Sequence, residues 1–199
     1  MMYTLLKSLF YILFVTVFRT QSSGAENLPK EGGVLVAANH MSNLDPPLLA
    51  TFLPRPLSYM AKQELFEVPL LGAIIRAAHA FPVKRGKSDR AAIKAAVTAL
   101  KEGRCVGIFP EGTRSADGKR RAAEAGVALL AAMTGVPVLP AAISGTERVL
   151  HGALFPQLHI VYGTPMLFQG ERGNKADLEA FSNAVMDAVY ALKAGVEDR

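Results

Sequence analysis

Two side chains able to move a proton, His40 and Asp45, lie in one polar turn, Asn39-His40-Met41-Ser42-Asn43-Leu44-Asp45. The turn separates the apolar run Val34-Leu35-Val36-Ala37-Ala38 from a helix-like run over 46–53. At this spacing an imidazole and a carboxylate can meet where a strand runs into a helix. A histidine held by a carboxylate is a simple device for taking the proton of an alcohol. The same residues support a plainer reading. Asp45 followed by Pro46 makes a good helix start, with aspartate as N-cap and proline at the first helical position.

A second cluster, Phe109-Pro110-Glu111-Gly112-Thr113-Arg114-Ser115, follows the apolar run 104–109. It offers a carboxylate, a glycine that permits close backbone approach, a hydroxyl and a guanidinium. That collection suits a phosphate, and the competing reading is a Gly-containing turn with solvated charges. A third stretch, Lys62-Gln63-Glu64-Leu65-Phe66-Glu67-Val68-Pro69-Leu70-Leu71-Gly72, is followed by Phe81-Pro82-Val83-Lys84-Arg85. Lys62 and Arg85 each come just after an expected strand. Alone they read as surface cations; with Arg114 they would make a cationic pocket beside His40.

Other chemistries lack their residues. Gly112 to Lys119 resembles a phosphate-binding loop, but five residues separate Gly112 from Gly118 and Arg120 stands where Ser or Thr belongs. There is no Gly-x-Ser-x-Gly elbow and no His-Glu-x-x-His. His40, His79, His151 and His159 have no metal-ligand spacing, so no metal is expected. His79 and His159 read as structural.

The elements that must position these groups alternate. Apolar strands are expected at 34–38, 57–61, 79–83, 104–109, 137–143 and 158–162. Helices are expected at 46–53, 69–78, 89–102, 121–134 and 176–194. Ser88 can cap the third helix and Gly103 ends it; Gly135 and Pro137 stop the fourth. This alternation predicts an α/β fold with a mixed, largely parallel sheet flanked by helices. In such a sheet ligands sit beyond the carboxyl ends of the strands, and the His40 and Glu111 stretches both open there.

Residues 3–19 form an apolar run that as a helix would extend about 25 Å, short of the roughly 30 Å hydrocarbon core, with Lys7 inside it. Thr4, Lys7, Ser8 and Tyr11 share one face, which favours a helix lying in one leaflet. A cleaved leader ending near Ser23-Gly24-Ala25 and a core helix are the rival readings. Residues 20–33 read as a linker. Half of the 199 residues are apolar, the mean hydropathy is +0.23, and the net charge is +5 with a pI near 9.4. A basic surface favours anionic partners. Nucleic acid is not expected, because there is no tryptophan and no stripe of aromatics interleaved with basic residues. The single Cys105 excludes an internal disulfide and reads as a small buried residue.

Four blocks, in order, carry a resemblance. They are Asn39-His40-x-x-x-x-Asp45; Lys62-x-x-Leu65-Phe66-x-x-Pro69-x-x-Gly72 with Arg85; Phe109-Pro110-Glu111-Gly112-Thr113-Arg114; and Val136-Pro137-Val138-Leu139-Pro140-Ala141-Ala142-Ile143. From about residue 30 to 165 the chain resembles the glycerolipid acyltransferases, in particular the bacterial 1-acylglycerol-3-phosphate acyltransferases. One departure is Ala80-Phe81-Pro82-Val83-Lys84, where many members carry a glycine and an acidic residue.

The resemblance implies a glycerol-phosphate acyltransferase-like domain over 30–199, preceded by a membrane-associating helix over 1–22. It implies His40 as general base and Asp45 as the group that orients it. Glu111, Gly112, Thr113 and Arg114 would form part of the acceptor site, and Lys62 and Arg85 would bind the acceptor's phosphate. The fourth block would line the acyl-chain site. The implied reaction moves a fatty acyl group from a coenzyme A or acyl carrier protein thioester to lysophosphatidic acid, with no cofactor. The chain would then sit on the cytoplasmic face of the cell membrane, as a monotopic or peripheral protein in contact with membrane lipid. Another lyso-lipid or glycerol-3-phosphate is the alternative acceptor.

Overall fold

The computed structural model describes residues 2–83, 90–115, 120–149 and 152–197. Its centre is a seven-stranded sheet made of β1 (Gln21–Ser23), β2 (Val34–Ala38), β3 (Leu57–Lys62), β4 (Phe81–Val83), β5 (Cys105–Ile108), β6 (Val138–Ser144) and β7 (His159–Tyr162), in the order β1-β7-β6-β2-β5-β3-β4. β2 through β6 run parallel to one another; β7 is antiparallel to β6, and β1 follows β7. The carboxyl ends of β2, β3, β4, β5 and β6 therefore share one edge. β2 is the middle strand, with β5 and β6 as its neighbours.

Among the described residues six α-helices flank the sheet: α1 (Met2–Thr16), α2 (Asp45–Thr51), α3 (Leu71–Ala77), α4 (Arg90–Lys101), α5 (Gly126–Thr134) and α6 (Lys175–Glu197). β2 is apolar throughout because both of its faces are covered. Val34, Val36 and Ala38 pack with Phe14 of α1 and with Leu48 and Leu49 of α2. Leu35 and Ala37 face the opposite way, among residues of α4, α5 and α6 such as Leu100, Leu130 and Val185. Cys105 is a free, buried thiol, 1% exposed, and burial pushes its pKa up. It packs as an apolar residue.

Three expectations change. The stretch 20–33 is not a plain linker, since Gln21–Ser23 forms β1. This edge strand is wholly exposed and so needs no apolar residues to mark it. The helix expected over 121–134 begins only at Gly126. The preceding residues are drawn to the loop after β5, where the Glu124 N–H donates to the Pro110 carbonyl at 2.7 Å. Asp45 does not cap α2. The residue at the N-cap is Leu44, with no side-chain capping bond, and the Asp45 carboxylate turns back to the preceding turn. The Ser88 cap lies outside the described residues.

α1 is also more than an appendage. Phe14 and Phe18 are 0% and 6% exposed in the core, and Lys7 Nζ donates to the Leu53 carbonyl just beyond α2. The helix crosses the sheet. Near its start the Leu57 N–H donates to the Tyr3 hydroxyl at 3.3 Å, and just past its end the Leu158 N–H donates to the Phe18 carbonyl at 3.3 Å. Its other side leaves Met2, Leu5, Leu9 and Ile12 exposed, spaced three to four residues apart. No helix among the described residues is long and apolar enough to cross a membrane. His79 follows α3 with its ring 5.1 Å from that of Tyr3.

Candidate active site

The chain leaves β2 at Ala38, and Asn39 locks the exit. Its Oδ1 accepts the Ile143 N–H at 2.8 Å and its Nδ2 donates to the Ile143 carbonyl at 2.9 Å, which ties the end of β2 to β6. Asn39 is 0% exposed, so these two bonds replace the ladder pairing that the departing backbone gives up.

His40 follows. Its Nδ1–H donates to Asp45 Oδ2 at 2.9 Å, with 14% of the histidine side chain exposed and none of the aspartate. Asp45 Oδ2 also accepts the N–H groups of Met41 and Ser42 at 2.6 and 2.7 Å. Asp45 Oδ1 accepts the Thr146 hydroxyl at 2.6 Å. A carboxylate that receives four donors and gives none is satisfied as the anion even when buried. With Nδ1–H committed to Asp45, the lone pair of His40 lies on Nε2, the nitrogen free to take a proton.

The cluster on β5 reaches the same place. Phe109 stacks on the His40 ring at 4.1 Å between centroids, with Tyr59 of β3 behind it at 6.4 Å. The Ser115 N–H donates to the His40 carbonyl at 2.8 Å, so the two turns are bonded directly. Between these contacts, Glu111 is 5% exposed and accepts the Tyr190 hydroxyl of α6 at 3.0 Å. Gly112 turns with φ of +67°, in the left-handed region that favours glycine, and the end of the Glu124 side chain packs over it. Thr113 and Arg114 are exposed, and the Arg121 guanidinium donates to the Thr113 hydroxyl at 3.3 Å.

Burial pushes the Glu111 carboxyl up, and the Tyr190 hydroxyl, the His40 backbone N–H and the nearby Arg121 guanidinium offset this only partly. A raised native pKa means that the ionised form costs folding free energy. The cost is absent below the ordinary value of 4.5, grows as pH rises toward the native pKa, and is complete above it. Glu111→Gln removes the ionisation. The variant's melting temperature relative to the parent is therefore expected to be more favourable at pH 7.5 than at pH 4.5. Thermal denaturation at the two values checks this, and an unchanged difference would contradict it.

The structure brings His40, Asp45, Glu111, Gly112, Thr113 and Arg114 to one edge. Lys62 ends β3 at that edge, while its side chain and all of Arg85 lie outside the described residues. Sequence reasoning missed Thr146, Tyr190 and the bridging role of Asn39. Thr146 had a signal: a polar Ser144-Gly145-Thr146 closes the long apolar strand β6 at the same carboxyl edge. Tyr190 had none, lying some eighty residues from its partner on a helix otherwise patterned for packing.

A buried carboxylate behind an imidazole, at the carboxyl edge of a mostly parallel sheet, is an arrangement that can take a proton from a hydroxyl. The chain matches the family model described as Acyltransferase over residues 19–144. It is 39% identical over 145 residues to the 1-acyl-sn-glycerol-3-phosphate acyltransferase of Bacillus subtilis, a match spanning 71% of this chain and 70% of that protein. The enzyme of the same name from Borreliella burgdorferi is 34% identical over 129 residues, spanning 63% of this chain and 51% of that protein. The solved 1-acyl-sn-glycerophosphate acyltransferase PlsC of Thermotoga maritima superposes with a TM-score of 0.76 at 29% identity, over 96% of this chain and 80% of that one. The chain belongs to the acyltransferase family.

Proposed function

We propose that this acyltransferase moves a fatty acyl group from a coenzyme A or acyl carrier protein thioester to the 2-hydroxyl of a 1-acylglycerol-3-phosphate, giving phosphatidic acid. The observation that carries the reading is the His40–Asp45 pair, 2.9 Å apart, bonded to the loop that bears Thr113 and Arg114. His40 Nε2 takes the proton of the acceptor hydroxyl as its oxygen attacks the thioester carbonyl. The new C–O bond forms, the C–S bond breaks, and the imidazolium returns the proton to the departing sulfur. Asp45 stabilises the imidazolium between these steps. The thioester is already activated, so the reaction needs no resident metal or redox cofactor.

Arg114, with Lys62 and Arg85, binds the acceptor's phosphate; a guanidinium suits a phosphate because its N–H groups pair with two oxygens at once. The relatives from Bacillus subtilis and Borreliella burgdorferi are named for this acceptor. The exposed stripe Met2, Leu5, Leu9 and Ile12 lies in one leaflet of the cell membrane on its cytoplasmic side, where the acceptor is dissolved. With Lys7 turned inward to Leu53, this stripe carries no charge.

The test is a matrix of purified protein with coenzyme A and acyl carrier protein thioesters against 1-acylglycerol-3-phosphate, glycerol-3-phosphate and lyso-lipids with other head groups. The expected result is fastest transfer to 1-acylglycerol-3-phosphate. Faster transfer to any other acceptor would replace that substrate, and thioester loss at equal rate without acceptor would replace transfer by hydrolysis.

A further inference from the structure

We infer that Thr146 is a positioning residue for acyl transfer, holding the Asp45 carboxylate in the plane that presents Oδ2 to His40. The inference rests on the proposed role of His40 as base. Three donors converge on Asp45 Oδ2, whereas Oδ1 receives the Thr146 hydroxyl at 2.6 Å. The terminal torsion of an aspartate is broad and roughly two-fold, so packing alone defines it poorly. A strong bond to the second oxygen defines it well.

Thr146 does not come from the turn that carries His40 and Asp45. It stands 101 residues beyond Asp45, at the start of a 3-10 turn that follows β6, and is 1% exposed. Its seat is built for the purpose. Gly145 before it has φ of +93°, and a Cβ there would lie 2.4 Å from the Gln157 carbonyl, so only glycine turns the chain toward Asp45. The Asn39 side chain fixes β6 against the end of β2 one turn earlier, through both polar groups of Ile143. The turn just beyond the fourth sequence block therefore bears on the base through Thr146, a role distinct from lining an acyl chain.

The experiment measures kcat and acceptor KM for purified parent, Thr146→Val, Thr146→Ala, Thr146→Ser and His40→Ala with a long-chain acyl thioester. Valine keeps the shape and loses the hydroxyl; alanine also loses the hydroxyl and cannot clash, so it serves if the valine variant does not fold. The expected result is a tenfold or greater fall in kcat for the hydroxyl-free variants, with KM within about twofold. Thr146→Ser is expected to recover to within about threefold of the parent. A purely structural threonine would not separate kcat from KM or respond to the serine hydroxyl in this way. A loss below tenfold beside an inactive His40→Ala would overturn the role of Thr146 alone, and so would a serine variant as slow as the valine. An active His40→Ala would instead remove the base, and the inference with it.

Discussion

Replacing His40 by alanine is expected to lower the turnover of acyl transfer by a factor of about 10²–10⁴, the usual contribution of a positioned general base. That factor corresponds to roughly 3–5 kcal/mol of barrier. The loss should come without collapse of the site. Asp45 keeps three of its four donors, the N–H groups of Met41 and Ser42 and the Thr146 hydroxyl, so the turn stays closed around a satisfied carboxylate. The Asn39 bridge to Ile143 and the Ser115 bond to the residue-40 carbonyl are untouched, because they use other groups. What disappears is Nε2 and the ring face stacked on Phe109. Steady-state kinetics with a thermal melt checks both halves. Near-parental turnover would contradict the mechanism, and a collapsed melt would contradict the account of the turn.

The second large effect separates charge from geometry. In Asp45→Asn the amide oxygen can take the place of Oδ2, where three donors converge, and the amide nitrogen the place of Oδ1. There it meets the Thr146 hydroxyl, which can rotate to accept instead of donate. The hydrogen-bond set survives, and only the negative charge is lost. The expected outcome is a melting temperature within a few degrees of the parent's, with turnover reduced by about 10²–10⁴, because the imidazolium formed during transfer has lost its counter-charge. Asp45→Ala should lose stability as well, by about 3–5 kcal/mol, since the buried donors then face a void. Urea unfolding of the two variants beside their kinetics decides the matter. Equal destabilisation of both would show that charge, not hydrogen bonding, holds the turn together.

Much of this arrangement was legible before any coordinates. The run Val34 to Ala38 announced an apolar strand, and the polar residues after it had to fall at its end. The same logic placed the Glu111 cluster beyond β5, and parallel pairing of β2 with β5 made the two neighbours. Where the sequence reading went astray, the deciding interactions were tertiary. Asp45-Pro46 has the local signature of a cap, yet the carboxylate is worth more to the Met41 and Ser42 N–H groups and to His40 than to the first turn of α2. Gln21–Ser23 carries no strand pattern, because an exposed three-residue edge is defined by the β7 backbone it meets. Thr146 and Tyr190 reach their partners across 101 and 79 residues, distances at which local spacing says nothing.

The seating of α1 has a mechanical consequence. The helix is riveted at both ends, by Tyr3 to the start of β3 and by Phe18 to the start of β7, and β1 continues directly into the sheet. No swivel among the described residues separates it from the edge that carries His40. Whatever surface receives Leu5, Leu9 and Ile12, the imidazole of His40 rides at a set height and tilt above it. If His40 acts as proposed on an acceptor held in a lipid surface, its reach is decided by the depth of that hydroxyl, and not by a tether that could pay out more chain.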